Sequence, residues 1–182
     1  MVINVEEDTI KIVNPDPSWG AQFMAESQAI EKVLRPFGLE PQIEHFGSTA
    51  VPNLPAKPII DIFVILSDIA VWPQLITPIS SLGYVYWRDN PRRDRMFFVK
   101  GMPPFGRGRS HHVHVRTPAD AVAELRFRDW LRTHPDDAAR YATLKRELAG
   151  RFKSNRDAYT EAKTDFIQAI LARDGVHGQN DG

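Results

Sequence analysis

The 182-residue chain contains no cysteine. Disulfide bonds, thiolate zinc sites and cysteine nucleophiles are therefore excluded, and histidine and carboxylate side chains remain as the metal ligands to look for. The sequence also lacks any apolar run that approaches the roughly 18 residues of a membrane-spanning helix. Its first residues include acidic side chains, whereas a secretory signal peptide begins with basic ones. We expect a cytoplasmic protein with no membrane partner.

Neither sign of charge is in excess, since 23 Lys and Arg balance 23 Asp and Glu. A strongly basic nucleic-acid-binding protein is therefore not indicated, and we expect no nucleic-acid partner. The charges are unevenly placed, because the segment from Arg88 to Arg109 holds six Arg and one Lys against two Asp. Either this cationic segment faces an anionic ligand or it is a solvated loop.

The apolar pattern predicts an α+β protein in which a mixed sheet is backed by helices. Strands are predicted over 42–46, 59–66, 84–87, 95–100 and 111–116. Helices are predicted over 19–35, 72–82, 120–133, 135–153 and 156–173. We expect one domain over 1–182, with the sheet core at about 11–116 and a helical segment at about 120–173.

Asp61 interrupts the most apolar of these strands, over 59–66. A buried carboxylate without a partner costs several kcal/mol, so this position needs an explanation. Either Asp61 is satisfied by local backbone or by Lys57, or it binds a metal ion. Lys57 is equally able to reach a phosphate.

Gly47 and Ser48 directly follow the strand predicted over 42–46. A glycine at such a turn lets the backbone approach a ligand closely, and the following amides can form an anion-binding nest. Gly47, Ser48 and Thr49 are therefore candidate phosphate contacts, although a Gly-Ser pair after a strand is most often a plain turn. We expect the turn to border a pocket that also displays Asp61, and His45 to orient the turn by hydrogen bonding.

His112 and His114 stand two residues apart on a predicted strand, so their side chains share one face. If this strand lies beside that of Asp61, two imidazoles and one carboxylate converge. Such a donor set suits Zn, Mn, Fe or Ni more than Mg. The alternative is that one histidine is packed in the core and the other bonds a backbone carbonyl.

Three arginines of the cationic segment are further candidates for phosphate contacts. Arg95 stands at the start of a predicted strand, whereas Arg107 and Arg109 lie in a glycine-rich loop. Such a loop could close over a ligand, and arginine binds phosphate through paired hydrogen bonds. Solvation at the surface is the alternative for the loop arginines.

The run from His45 to Asp61 resembles the signature of the GrpB family. The resemblance covers about residues 11–172 and extends to four further segments: Asn14 to Trp19, His112 to Val115, Phe127 to Leu131 and Tyr141 to Lys145. Members of that family are similar to polymerase-β-like nucleotidyltransferases, and related domains occur fused to dephospho-CoA kinases. The resemblance therefore implies a nucleotidyltransferase fold.

In the wider superfamily a Gly-Ser turn precedes an Asp-x-Asp pair, and these acids with a third carboxylate hold two divalent ions that clamp nucleotide phosphates. Ser48 and Asp61 match this pattern, whereas Phe63 stands where the second acid is expected. The leading hypothesis is an enzyme, or a former enzyme, that binds a nucleotide or another phosphorylated small molecule on the Gly47-Ser48 turn, with a divalent ion, Mg or Mn, on Asp61. If it is active, it would transfer a nucleotidyl or phosphoryl group, with Asp61 and Lys57 as the catalytic residues. Two alternatives are a non-catalytic binding or accessory module and a metal-dependent enzyme built on His112 and His114.

Overall fold

A five-stranded mixed sheet forms the centre of the fold in a computed structural model that describes residues 9–90, 95–102 and 108–177. Its strands are β1 (Gln42–Phe46), β2 (Ile60–Ile65), β3 (Tyr84–Tyr86), β4 (Met96–Lys100) and β5 (His111–Arg116). They lie in the order β1-β2-β5-β4-β3. β2 and β5 run parallel, and the other neighbouring pairs are antiparallel. All five predicted strands are confirmed to within one residue at each end.

The helices depart from the prediction at two places. They are α1 (Trp19–Leu34), α2 (Ile76–Ser80), α3 (Pro118–Thr133), α4 (Pro135–Arg151), α5 (Arg156–Glu161) and α6 (Thr164–His177). The helix predicted over 72–82 is instead a 3-10 segment, Ile69–Leu75, followed by the short α2. Pro73 and Pro78 account for this, since neither has an amide hydrogen for an α-helical bond. The helix predicted over 156–173 is divided into α5 and α6, although no glycine or proline marks the break.

The two faces of the sheet are built differently. On one face Ile60, Ile62 and Val64 of β2 join α1 and α2 in the largest apolar core. The opposite face carries Asp61 and Phe63, because successive side chains of a strand alternate. α3 covers part of this second face, packing its Ala121 and Leu125 on residues of β1 and β2. Among the described residues, none of the helices is long and apolar enough to cross a bilayer.

Two arginines of α3 hold the turn that follows β1. Arg128 Nη1 donates hydrogen bonds to Glu44 Oε2 at 2.7 Å and to the carbonyl oxygen of His45 at 2.8 Å. Arg132 Nε donates to the carbonyl oxygen of Ala50 at 3.0 Å. The helical segment therefore fixes both ends of the turn through its backbone oxygens.

We predict that Arg128→Met lowers the free energy of unfolding by about 2–4 kcal/mol, because it leaves a buried carbonyl and a partly buried carboxylate without their donor. The matched control is Arg126→Met on the same helix, where the lost pair with Asp174 is exposed and costs less than about 1 kcal/mol. Urea unfolding followed by circular dichroism measures both. Equal losses in the two variants would show that Arg128 does not hold the turn.

Candidate functional site

Gly47 brings the backbone of the turn against the carboxylate of Asp61. Its φ of 73° and ψ of −170° lie in a region that is essentially restricted to glycine. A β-carbon added at this position would stand 2.7 Å from Asp61 Oδ2. The predicted turn and the predicted acid are therefore neighbours, and only a residue without a side chain allows them to be so close.

His45 and Thr49 support the turn from within. Thr49 Oγ1 donates to the carbonyl oxygen of Ile59 at 3.2 Å and lies 3.0 Å from His45 Nε2. Because the single hydroxyl hydrogen goes to Ile59, His45 Nε2 is the donor to Thr49. The His45 ring also stacks on Phe23, and burial lowers the pKa of His45 to about 4, so the ring is neutral. The predicted orienting role of His45 is confirmed.

The Thr49 hydroxyl is engaged within the protein. The side chain of Thr49 is buried and its hydroxyl both donates and accepts a hydrogen bond inside the fold. We therefore assign this side chain to the support of the turn. The backbone of Thr49 stays a predicted phosphate contact, together with Gly47 and Ser48.

Asp61, His112 and His114 meet on the second face of the sheet. The parallel register of β2 and β5 pairs Asp61 with His112 and Phe63 with His114. His112 Nδ1 donates to Asp61 Oδ1 at 3.0 Å, and His114 Nε2 lies 4.0 Å from the same oxygen. One ligand atom from each residue lies within 4.8 Å of the others. Within the described part of the chain, this is the one such group of three that could hold a metal ion.

The protonation states of these three residues are those that a metal ion requires. Burial lowers the pKa of His112 against the opposing effect of Asp61, and it lowers the pKa of His114 to about 3. Burial raises the pKa of Asp61, but the hydrogen bond from His112 and the charge of Lys57 act in the opposite direction, and the net pKa is lowered. One charged carboxylate and two neutral imidazoles result, and metal ligands must be deprotonated in this way.

The donor set fits one divalent ion. The ring nitrogens that lie nearest the Asp61 carboxylate are His112 Nδ1 and His114 Nε2, and these are the two that could share an ion with it. The second nitrogens of the same rings, His112 Nε2 and His114 Nδ1, are buried and have no hydrogen-bond partner among the described residues. Two imidazoles with one carboxylate suit Mn, Zn, Fe or Ni more than Mg.

Phe63 occupies the position where the superfamily pattern has its second acid. Its ring stacks on Phe46 with 3.6 Å between centroids and meets His114 edge-on at 6.0 Å. Phe97 packs on the other side of the histidines, 4.6 Å from His114 and 5.0 Å from His112. Aromatic rings therefore surround the triad where a second carboxylate would otherwise stand.

Three of the predicted cations lie in electrostatic range of this triad. The charge of Lys57 lowers the pKa of both Asp61 and His112, that of Arg109 lowers the pKa of His112, and that of Arg95 lowers the pKa of His114. The fourth predicted cation, Arg107, lies outside the described residues.

Two lysines of the helical segment join the site, and the sequence analysis missed them. Lys163 Nζ lies 4.3 Å and Lys57 Nζ 5.4 Å from the centre of the Tyr159 ring. Burial and the charge of Lys57 lower the pKa of Lys163 to about 7, whereas Asp61 raises it. Lys145 is 2% exposed, donates to the carbonyl oxygen of Pro55, and has its pKa lowered by burial to about 7.

One of these lysines carried a signal that could have been used. Lys145 follows Tyr141 by four residues and precedes Leu148 by three, so it lies in the buried stripe of α4. A lysine in such a stripe needs a buried partner, and here that partner is a carbonyl of the segment before β2. Lys163 lies at the break between α5 and α6 and carried no such signal.

The turn also borders a cavity of about 120 Å³. Gly47 and Ser48 line it on one side, and α3, α4 and α6 line it on the other. Asp61 is not among the residues that line this cavity, although its side chain is 27% exposed. Gly47 lines the cavity and also closely approaches the Asp61 carboxylate, so the expectation of a pocket that displays both the turn and Asp61 stays a prediction.

Residues 9–173 match the model of a protein family described as GrpB protein. A Pseudomonas aeruginosa protein described as a UPF0157 protein is 51% identical over 170 residues, which are 93% of this chain and 69% of that relative. A dephospho-CoA kinase of Mycolicibacterium paratuberculosis is 30% identical over 188 residues, which are 90% of this chain and 46% of the kinase. The predicted relation to proteins named dephospho-CoA kinase is confirmed.

Solved structures show the same fold. The crystal structure of the conserved protein GrpB from Enterococcus faecalis has a TM-score of 0.77 and 35% identity, and the match covers 90% of this chain and 96% of that one. The Cid1 poly(U) polymerase has a TM-score of 0.54 at 12% identity, over 77% of this chain and 45% of that one. The second likeness concerns the fold alone, and it confirms the predicted polymerase-β-like nucleotidyltransferase architecture.

We predict that Gly47→Ala lowers the free energy of unfolding by at least about 2 kcal/mol, from backbone strain and the clash with Asp61. Gly20→Ala is the matched control, because Gly20 lies in α1 with nothing within 4 Å of an added β-carbon. That change should stabilise the protein by about 0.5–1 kcal/mol. Thermal unfolding by calorimetry measures both, and a harmless Gly47→Ala would contradict the close approach.

Proposed function

Because the chain belongs to the GrpB family, we propose that it binds a nucleotide or another phosphorylated small molecule on the Gly47–Ser48 turn, with a divalent metal ion on Asp61, His112 and His114. The observation that carries the proposal is the approach of the turn to a charged carboxylate beside two neutral imidazoles. An anion-binding turn next to a metal-binding group is what phosphate recognition through a metal ion requires.

A bound divalent ion would supply positive charge that polarises a phosphoryl oxygen. Asp61, His112 and His114 would hold it, and manganese suits both this donor set and phosphate chemistry. Taking up the ion requires exchange of the hydrogen bond between His112 and Asp61, which is favourable because the ion brings more charge to the carboxylate than a neutral ring does.

The phosphate end of the ligand would be held by the backbone of the turn, by Ser48 and by nearby lysines. Lys57 and Lys163 flank the same tyrosine ring, and the charge of Asp61 acts on both Lys163 and the histidines. An anion beside a lysine favours its charged form, so ligand binding should draw a proton onto Lys163 near neutral pH. Arg95 and Arg109 extend the positive field around the histidines.

If the protein is an enzyme, the reaction is transfer of a nucleotidyl or phosphoryl group to a small acceptor. Asp61 and Lys57 are the residues we assign to it, Asp61 as metal ligand and Lys57 as a charge that stabilises the phosphoryl oxygens. Phe63 favours a second candidate, a module that binds the ligand without transferring any group. Its stacked ring removes the second acid, so transfer would depend on a single ion.

We predict that the protein binds Mn²⁺. Asp61→Asn should weaken this binding at least about tenfold, a loss of about 1.4 kcal/mol of binding free energy, and so should the double variant His112→Ala, His114→Ala. His111→Ala is the matched control, because His111 projects from the opposite face of β5. Tripolyphosphate should bind with Mn²⁺ present and lose affinity in the Asp61 variant. Titration calorimetry measures each affinity.

Asp61→Asn should change the melting temperature little, since the amide oxygen still accepts the hydrogen bond from His112. A sharp drop in melting temperature with unchanged Mn²⁺ affinity would show that Asp61 is structural and would refute the metal site. Pyrophosphate release from nucleoside triphosphates, abolished by Asp61→Asn, would support the transferase over the binding module.

A further inference from the structure

We infer that the cavity beside the Gly47–Ser48 turn binds one aromatic ring of the phosphorylated ligand. This inference rests on the proposed phosphate site. Gly47 and Ser48 belong both to the turn and to the wall of the cavity, so a ring held there lies next to a phosphate on the turn. Asp61, His112 and His114 are not among the residues that line the cavity.

The volume of the cavity limits what it can hold. Whole ligand sites measure about 300–1,000 Å³, so 120 Å³ is too small for a complete nucleotide. An apolar cavity of about 150 Å³ is known to hold one benzene molecule. The cavity therefore matches a single six-membered ring, and two fused rings exceed it.

The walls favour an aromatic ring over a sugar. Phe127 and Tyr141 present two rings that pack edge-to-face with 5.1 Å between centroids, and a third ring extends such a cluster favourably. Aliphatic side chains complete most of the lining: Val51, Leu131 and Ile167. A sugar would leave several hydroxyl groups without partners against these walls.

The charged residues of the lining are already engaged. Arg128 binds Glu44 and the carbonyl oxygen of His45, and Glu124 accepts from Arg116 at 3.1 Å. Both charged groups are therefore already paired within the protein, and the aromatic ring does not need to satisfy them. The predicted ligand class is thus a phosphorylated compound that carries one six-membered aromatic ring, with the ring in the cavity and the phosphate on the adjoining turn.

The test compares three probes in the presence of Mn²⁺: inorganic phosphate, phenyl phosphate and 1-naphthyl phosphate. Phenyl phosphate should bind at least about tenfold more tightly than inorganic phosphate, because the ring is removed from water. 1-Naphthyl phosphate should bind more weakly than phenyl phosphate. Equal affinity for phosphate and phenyl phosphate would overturn the ring site while leaving the phosphate site intact, and absence of any phosphate binding would overturn both.

A cavity-filling variant localises the effect. Ile167 is half-buried and lines the cavity, so Ile167→Trp should fill it and remove the advantage of phenyl phosphate without changing the affinity for inorganic phosphate. Leu171→Trp is the matched control, one turn later on α6, half-buried and outside the lining. It should retain the advantage. An undiminished advantage in the Ile167 variant would overturn the inference, and calorimetric melting verifies that both variants fold.

Discussion

The contact between Gly47 and Asp61 is the constraint on which the site depends. A backbone with positive φ passes so close to the carboxylate that no side chain fits between them. Thr49 ties the turn to the residue before β2, and Arg128 and Arg132 hold its carbonyl oxygens from α3. Sheet, turn and helical segment therefore converge on one carboxylate. Folding removes more conformational freedom from a glycine than from any other residue, and these hydrogen bonds offset that entropic cost.

The alternation of side chains along strands allowed much of the fold to be predicted. The spacing of His112 and His114 predicts that both side chains share one face, and the parallel pairing of β2 with β5 brings them beside Asp61 and Phe63. The pairing of these two strands could not be predicted, because the local sequence pattern does not show which strands become neighbours. Prolines at 73 and 78 were visible, but their conversion of a helix into a 3-10 segment was missed.

The helical contribution to the site was harder to predict. Lys145 lies in the apolar stripe of α4, but its partner, the carbonyl oxygen of Pro55, is 90 residues away in the sequence and becomes its neighbour only in the folded chain. Lys163 lies at the break between α5 and α6, where the sequence shows no helix-breaking residue. The hydroxyl of Thr49, in the predicted phosphate-binding turn, forms its hydrogen bonds with His45 and Ile59 inside the fold. Whether a polar side chain near a motif can contact a ligand or supports the fold therefore depends on its tertiary hydrogen bonds, which cannot be predicted from the sequence.

The central claim is that one ion lies between a carboxylate of β2 and two imidazoles of β5, beside a turn that holds phosphate. Crystals grown with Mn²⁺ and tripolyphosphate, with diffraction recorded on both sides of the manganese absorption edge, test it most directly. We expect one anomalous peak within bonding distance of Asp61, His112 and His114, with a phosphate against the Gly47–Ser48 turn. Phosphate bound at the turn with no manganese at the triad, or manganese bound elsewhere, would contradict it.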